Sequence, residues 1–211
     1  NIIFSSSCTV YGMPDKLPVD EKAPFKKAES PYGETKQICE KILNNENINH
    51  ISLRYFNPIG SHKSSLIGDC SNDKASNLIP IITETAIGKR KKLIVYGNDY
   101  NTKDGTCIRD YIHVVDLAKA HVLALKFLEK NKIGKYAFNV GTGIGISVLE
   151  AIKNFEKTNM VKVNYEIGNR RNGDIEKIYS DGKLIKKTIG WKATLSIETA
   201  MKSAWEWEKL K

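Results

Sequence analysis

NIIFSSS (residues 1–7), SPYGETKQICEKILNN (30–45) and HISLRYF (50–56) are the stretches that decide how this chain folds. The first is short, apolar and β-prone and ends in small polar residues. A buried parallel strand reads this way where it stops at a functional loop, so a strand is expected over residues 1–4. In the second, Ser30 is a good N-cap and Pro31 occupies the first helical position. A helix is therefore expected to residue 45, with Ile38, Ile42 and Leu43 marking its buried face. The third stretch reads as the next strand. Strand, helix of about 15 residues, strand is the pattern of a right-handed βαβ crossover in a parallel sheet.

The rest of the chain continues in the same style. After a polar loop, a helix is expected from Leu78 to about Gly88 with Asn77 as its N-cap, then a short strand over 93–96 and a turn-rich loop over 97–105. Residues 114–129 alternate at helical period, 136–140 read as a core strand, and Ser147-Val148-Leu149-Glu150 is a capping box opening another helix. A strand is expected over 161–167, and two short helices near 181–188 and 196–210. No internal repeat or low-complexity segment is present. The fold class is α/β with the strands inside.

Composition narrows the function. The 211 residues are 41% hydrophobic, enough for a core and too much for a disordered chain. No apolar run approaches the roughly 20 residues that span a bilayer, so no membrane partner is expected. The net charge of +9 invites a nucleic-acid reading. The excess, however, is Lys interspersed with Glu and Asn, as in Lys26-Lys27, Lys89-Arg90-Lys91-Lys92 and Lys186-Lys187, without interleaved aromatics. It reads as a solvated surface, with no nucleic acid as partner. Cys8, Cys39, Cys70 and Cys107 show no CxxC spacing, so free thiols in a reducing, cytoplasmic setting are expected. The four histidines are scattered, and no metal site is expected.

The chemistry gathers at Tyr32 and Lys36. Spaced i and i+4, they share a helix face. A phenol with its ordinary pKa of about 10 is a poor base at neutral pH, and a neighbouring ammonium favours the phenolate. So Lys-rich a chain produces such a pair by chance, and the pair gains weight from Ser5-Ser6-Ser7 at the carboxyl end of the preceding strand, where ligands gather in open α/β sheets. FNVGTGIG (138–145) lacks the GxGxxG spacing and reads as a turn feeding the capping-box helix.

FSSSCTVYG (4–12), SPYGETK (30–36), LRYFNPIGSH (53–62), SNLIP (76–80), YGNDYNTKDGTCIRDYIHVVDLAKAH (96–121) and FNVGTG (138–143) together resemble the extended short-chain dehydrogenase/reductase family, and within it the branch that epimerises UDP-hexoses at C4. The long 96–121 run is far more specific than YxxxK. The resemblance implies the C-terminal part of a Rossmann-type doubly wound parallel sheet (1–57, rejoined at 111–143) and a smaller α/β substrate-binding domain (58–110 and 144–211). It implies a tightly held NAD that takes a hydride from C4 of UDP-glucose or UDP-galactose and returns it to the other face of a rotated 4-keto sugar. By the same resemblance Tyr32 is the base at O4, Lys36 lowers its pKa and holds the nicotinamide ribose, and Ser7 bridges Tyr32 and the sugar hydroxyl. Ser5, Tyr55 and Phe56 line the nicotinamide side. Asn57, Asn77 and Leu78 contact the UDP-sugar, Ile94 and Tyr96 lie by uracil and ribose, and Arg109, Tyr111, Arg171 and Asp174 hold diphosphate and ribose. Arginine forks suit a diphosphate; the competing reading of Arg109 is a surface salt bridge with Asp110. Members are commonly homodimers, and the helix over 30–45 is a candidate surface.

Departures from the family pattern set the alternatives. Cys8 replaces a usual small residue after the serines, and Ile178, four residues after Asp174, leaves the acceptance of N-acetylated sugars open. A 4,6-dehydratase needs an acidic residue beside the serine loop, where Cys8 and Thr9 stand. A UDP-pentose 4-epimerase and a non-catalytic basic fragment are the other readings. The family's glycine-rich pyrophosphate loop has no counterpart in these 211 residues. The expectation is that this chain by itself retains no NAD and does not turn over UDP-galactose; stoichiometric NAD in the purified 211-residue chain would overturn it.

Overall fold

β1 (Ile2–Ser7), α1 (Pro31–Asn45) and β2 (His50–Tyr55) form the expected strand–helix–strand unit in a computed structural model that describes residues 1–70, 75–130 and 134–211. Part of the polar loop expected before residue 78 lies outside the described residues. The strands are parallel, in register from Ile2 opposite His50 to Ser7 opposite Tyr55. β1 therefore runs through the serines instead of stopping at Phe4, because β2 offers ladder partners along its whole length.

Beyond β2 come β3 (Asn57–Ile59), α2 (Leu78–Ala86), β4 (Leu93–Tyr96), β5 (Ile108–His113) and α3 (Val114–Lys130). They are followed by β6 (Lys135–Val140), β7 (Gly145–Ser147), α4 (Val148–Asn159), β8 (Tyr165–Gly168), α5 (Lys183–Ile189) and α6 (Ile197–Leu210). Among the described residues three sheets result: β1-β2-β6, all parallel; β3-β5-β7, with β5 and β7 antiparallel; and the parallel pair β4-β8. The capping box at Ser147 and Glu150 is present, and α2 starts after Asn77 as expected. The strand expected over 161–167 begins only at Tyr165. Val163 instead buries its side chain, and its N–H binds the Glu156 carboxylate at 2.9 Å. β5 escaped the sequence reading because Arg109, Asp110 and His113 break the apolar run expected of a buried strand.

Apolar burial divides around the sheets. Ile51, Leu53, Phe138 and Val140 pack against Ala120, Ala124 and Leu128 of α3, joined by Ile185 and Trp191 from a segment expected with the substrate domain. A second core joins Ile59, Leu93, Val95 and Tyr111 with Ile79 and Ile82 of α2, Ile152 and Phe155 of α4, and Met201 of α6. Among the described residues no helix is long and apolar enough to cross a membrane.

α1 has its expected bounds but not its expected buried face. Ile38 and Ile42 are 48% and 54% exposed and Leu43 is half-buried, whereas Gln37 and Glu40 are buried. The reason is polar. Strand alternation turns Ser6 and Arg54 toward α1, and buried donors need acceptors. Glu40 accepts the Ser6 hydroxyl and takes the Arg54 guanidinium at 2.6 and 3.0 Å, while Arg54 also donates to Tyr11 Oη at 2.9 Å. Tyr11 Oη in turn donates a hydrogen bond to Asn139 Oδ1 of β6 at 2.7 Å. Gln37 satisfies the Val10 and Lys26 carbonyls at 2.8 and 2.6 Å. Burial alone would lower the Arg54 pKa; the hydrogen bonds to Glu40 and Tyr11 overcome it and hold the guanidinium charged.

Removing one partner of a desolvated ion pair costs about 3–5 kcal/mol, and removing both costs far less. Arg54→Met is thus expected to lower the urea midpoint sharply, with the double variant Glu40→Leu/Arg54→Met recovering much of the loss. A single variant as stable as wild type would show that the pair does not hold α1 in place.

Candidate active site

Ser30 caps α1 by accepting the Gly33 N–H at 3.1 Å, with Pro31 fixing the first turn. Tyr32 and Lys36 therefore leave the helix on one face. Gly33 allows a close approach: a Cβ there would lie 3.2 Å from the Thr9 carbonyl oxygen. Thr9 sits in a 3-10 turn (Cys8–Tyr11) capped by Ser7, whose hydroxyl accepts the Thr9 N–H at 3.3 Å. The start of α1 thus meets the end of β1, and Ser7 and Tyr32 line one cavity of about 620 Å³.

The three consecutive serines face three ways. Ser6 points into the buried network, Ser7 lines the cavity, and exposed Ser5 lies on an edge with Lys36 and Tyr55. Lys36 Nζ donates to the Ser5 carbonyl at 2.9 Å, 5.1 Å from the Phe4 ring centroid and 5.3 Å from that of Tyr32. An ammonium carries three protons, so this bond leaves Lys36 two donors, beside a Tyr32 that is 55% exposed. Of the residues expected at the cofactor, Ser5, Lys36 and Tyr55 share this edge and Tyr32 joins it to the cavity. Phe56 sits apart from the edge, buried against Val10 and Tyr11 in the cavity wall. Cys8, next to Ser7, is buried, and burial pushes its thiol up to about 12, so it acts as a small neutral side chain.

The opposite wall is cationic. Asp174 accepts Arg171 at 2.7 Å and lies 3.8 Å from Arg109, so two guanidiniums share one carboxylate. Arg171 stacks over Tyr96 at 5.6 Å. Asn57, Asn77, Arg109, Arg171 and Asp174 line both the large cavity and a smaller one of about 150 Å³, whose walls add Leu78, Ile94, Tyr96 and Tyr111. All ten residues expected at the substrate therefore border one continuous cleft. Tyr111 does so as part of the core, with burial holding its phenol above the usual range. Ile178 is buried in the wall of the larger cavity.

Arg109 does not pair with its neighbour Asp110. Strand alternation sends Asp110 to the other face of β5, where it is fully buried. There it accepts Thr142 N and Oγ1 at 2.8 and 2.6 Å, Gly143 N at 3.0 Å and Ser180 N and Oγ at 3.1 and 2.6 Å. The 141–144 turn is an anchor for this carboxylate, and a side chain at Gly141 would collide with it. Period-two alternation across RDY was the signal that could have separated the two roles.

Comparison with known proteins places this geometry. A family model described as GDP-mannose 4,6 dehydratase matches residues 1–204. UDP-glucose 4-epimerase of Drosophila melanogaster is 46% identical over 98% of this chain, and that of Haemophilus influenzae 45% over 99%. The chain spans 61% and 63% of the length of those two relatives. The crystal structure of UDP-glucose 4-epimerase from Stenotrophomonas maltophila, with NAD and formylated UDP-arabinopyranose, has TM-score 0.94 and 44% identity over 99% of this chain and 63% of its own. That of the Bifidobacterium longum enzyme with NAD+ and UDP also has TM-score 0.94, with 43% identity over 99% of this chain and 63% of its own. The chain belongs to the GDP-mannose 4,6 dehydratase family, and these four relatives are named UDP-glucose 4-epimerases.

The two neighbours on β5 should separate experimentally. Hydrogen bonds to a buried charge are each worth about 1.5–3 kcal/mol, so Asp110→Asn should lower the melting temperature by many degrees. Arg109→Gln should leave it within a few degrees of wild type. Equal stability losses would contradict the division of roles.

Proposed function

We propose that the protein is an NAD-dependent UDP-glucose 4-epimerase interconverting UDP-glucose and UDP-galactose. The observation that carries this reading is the meeting of Ser7 and Tyr32 with the Arg109–Asp174–Arg171 cluster around one cleft. A diphosphate held at the guanidiniums leaves the hexose free to reach the Ser7–Tyr32 end. The donors on the Ser5–Lys36–Tyr55 edge, two spare ammonium protons and the Ser5 hydroxyl, fit the ribose and amide of a nicotinamide nucleotide. NAD, when bound, supplies the hydride acceptor and donor for C4.

This chain's own residues do the rest. Tyr32 exchanges the O4 proton, Ser7 holds the sugar hydroxyl against Tyr32, and Lys36 sets its ammonium beside the Tyr32 ring. Asn57, Asn77 and Leu78 flank the sugar-nucleotide, and Ile94 and Tyr96 flank the base. Arg109, Tyr111, Arg171 and Asp174 keep diphosphate and ribose in place while the sugar end turns. Cys8 and Thr9 stand where a dehydratase needs an acid, and the Cys8 thiol is held neutral, which favours epimerisation over dehydration. We further propose that residues 1–57 and 111–143 belong to the cofactor-binding domain, with 58–110 and 144–211 carrying the substrate. The exposed Ile38 and Ile42 of α1 support a homodimer surface. A cytoplasmic location agrees with four free cysteines.

In the full-length protein, Tyr32→Phe should bind UDP nearly as wild type does and lose at least about 100-fold in interconversion of UDP-galactose, the scale of general acid–base catalysis. Turnover near wild type would remove Tyr32 as the base. Arg109→Lys, which replaces a planar fork by a point charge, should weaken UDP about tenfold by calorimetry; an unchanged Kd would remove Arg109 from the diphosphate site.

A further inference from the structure

β2 works on two faces. Alternation turns Arg54 toward α1 and sends Tyr55 to the other side of the sheet, toward α3. There the Tyr55 ring lies against His121, centroids 5.4 Å apart and tilted by 57°. The Tyr55 hydroxyl is hydrogen-bonded to His121 Nε2 and lies 2.8 Å from Ser5 Oγ. The other nitrogen of His121, Nδ1, is 3.0 Å from the Leu117 carbonyl oxygen, one helical turn back.

Proton counting orders this chain. A carbonyl oxygen only accepts, so Nδ1 carries the imidazole proton, and in the neutral ring Nε2 is an acceptor. The Tyr55 hydroxyl has one proton and two acceptors beside it, Nε2 and the Ser5 Oγ to which it donates at 2.8 Å. The Ser5 hydroxyl proton is left uncommitted by this contact. Burial holds the Tyr55 phenol above its ordinary range, so it stays a neutral donor in this role. The Ser5 carbonyl meanwhile takes Lys36 at 2.9 Å, which connects the chain to the Tyr32 edge.

We propose that His121 is a positioning residue: by sharing the Tyr55 hydroxyl proton with Ser5 Oγ it orients the Tyr55 and Ser5 hydroxyls on the edge that Lys36 and Tyr32 share. The inference rests on the reading of that edge as the nicotinamide side. His121 does not touch a reacting atom. It acts through Tyr55, and the Ser5 hydroxyl proton is left free toward a bound amide or ribose.

The test has a part that needs no turnover. In histidine-15N-labelled full-length protein at neutral pH, long-range proton–nitrogen correlation should show His121 protonated at Nδ1, with its Nε2 signal moving in Tyr55→Phe. An Nε2-protonated ring, or an Nε2 signal indifferent to Tyr55→Phe, would overturn the proposal. In the second part, His121→Phe, which keeps a ring and loses the acceptor, should weaken NAD about five- to tenfold. UDP affinity should stay within about twofold, and His121→Gln, which restores an acceptor oxygen, should recover most of the NAD loss. Unchanged NAD affinity in His121→Phe, with wild type binding NAD and UDP normally, would overturn the positioning role alone. Wild-type protein that binds neither ligand would instead overturn the functional reading, and the tautomer measurement would still decide the role of His121.

Discussion

The Arg54–Glu40 pair is the constraint on which the geometry of the candidate site depends. It ties the middle of α1 to the middle of β2 inside the protein, and its hydrogen bonds extend through Tyr11 to Asn139 on β6. Because the pair is desolvated, it tolerates little change in separation. α1 therefore cannot slide or rotate on the sheet, and Tyr32 and Lys36 are held relative to Ser7 by a charge rather than by apolar packing alone. The apolar side chains of α1 that pattern would place inside, Ile38 and Ile42, are left at the surface.

A second carboxylate does the same for the other half of the cleft. Asp110 draws the 141–144 turn and Ser180 onto β5 with five hydrogen bonds. This fixes the strand from which Arg109 projects. Arg109 then meets Asp174 and Arg171, which arrive more than 60 residues later in the chain. Neither buried acid lies in the cleft. They carry the frame, while the cleft keeps exposed cations and hydroxyls available to a ligand.

β2 links the two sides of the design. With Arg54 on one face and Tyr55 on the other, a single strand joins the network that holds α1 to the Ser5–Tyr55–His121 chain on the α3 side. The adjacent Phe56 and Asn57 then enter the cleft wall. The run from Arg54 to Asn57 thus serves the frame, the Ser5–Lys36 edge and the cleft wall in consecutive residues, which is possible because strand side chains alternate in direction.

Much of this was legible in the amino-acid order. The Ser30 cap with Pro31, the Ser147 capping box, the Tyr32–Lys36 spacing and the motifs around Ser7, Asn57 and Arg109 are local signals, and local chemistry sets them whatever the rest of the chain does. What the order of residues could not reveal was which polar side chains would be buried. Glu40, Asp110 and His121 look like ordinary helix and loop residues, and their roles exist only once β1, β2, β5 and α3 are assembled. The physical reason is that hydrophobic periodicity predicts burial from side-chain character one residue at a time. A buried charge is settled by its partners, and those partners are distant in sequence and adjacent only in the fold.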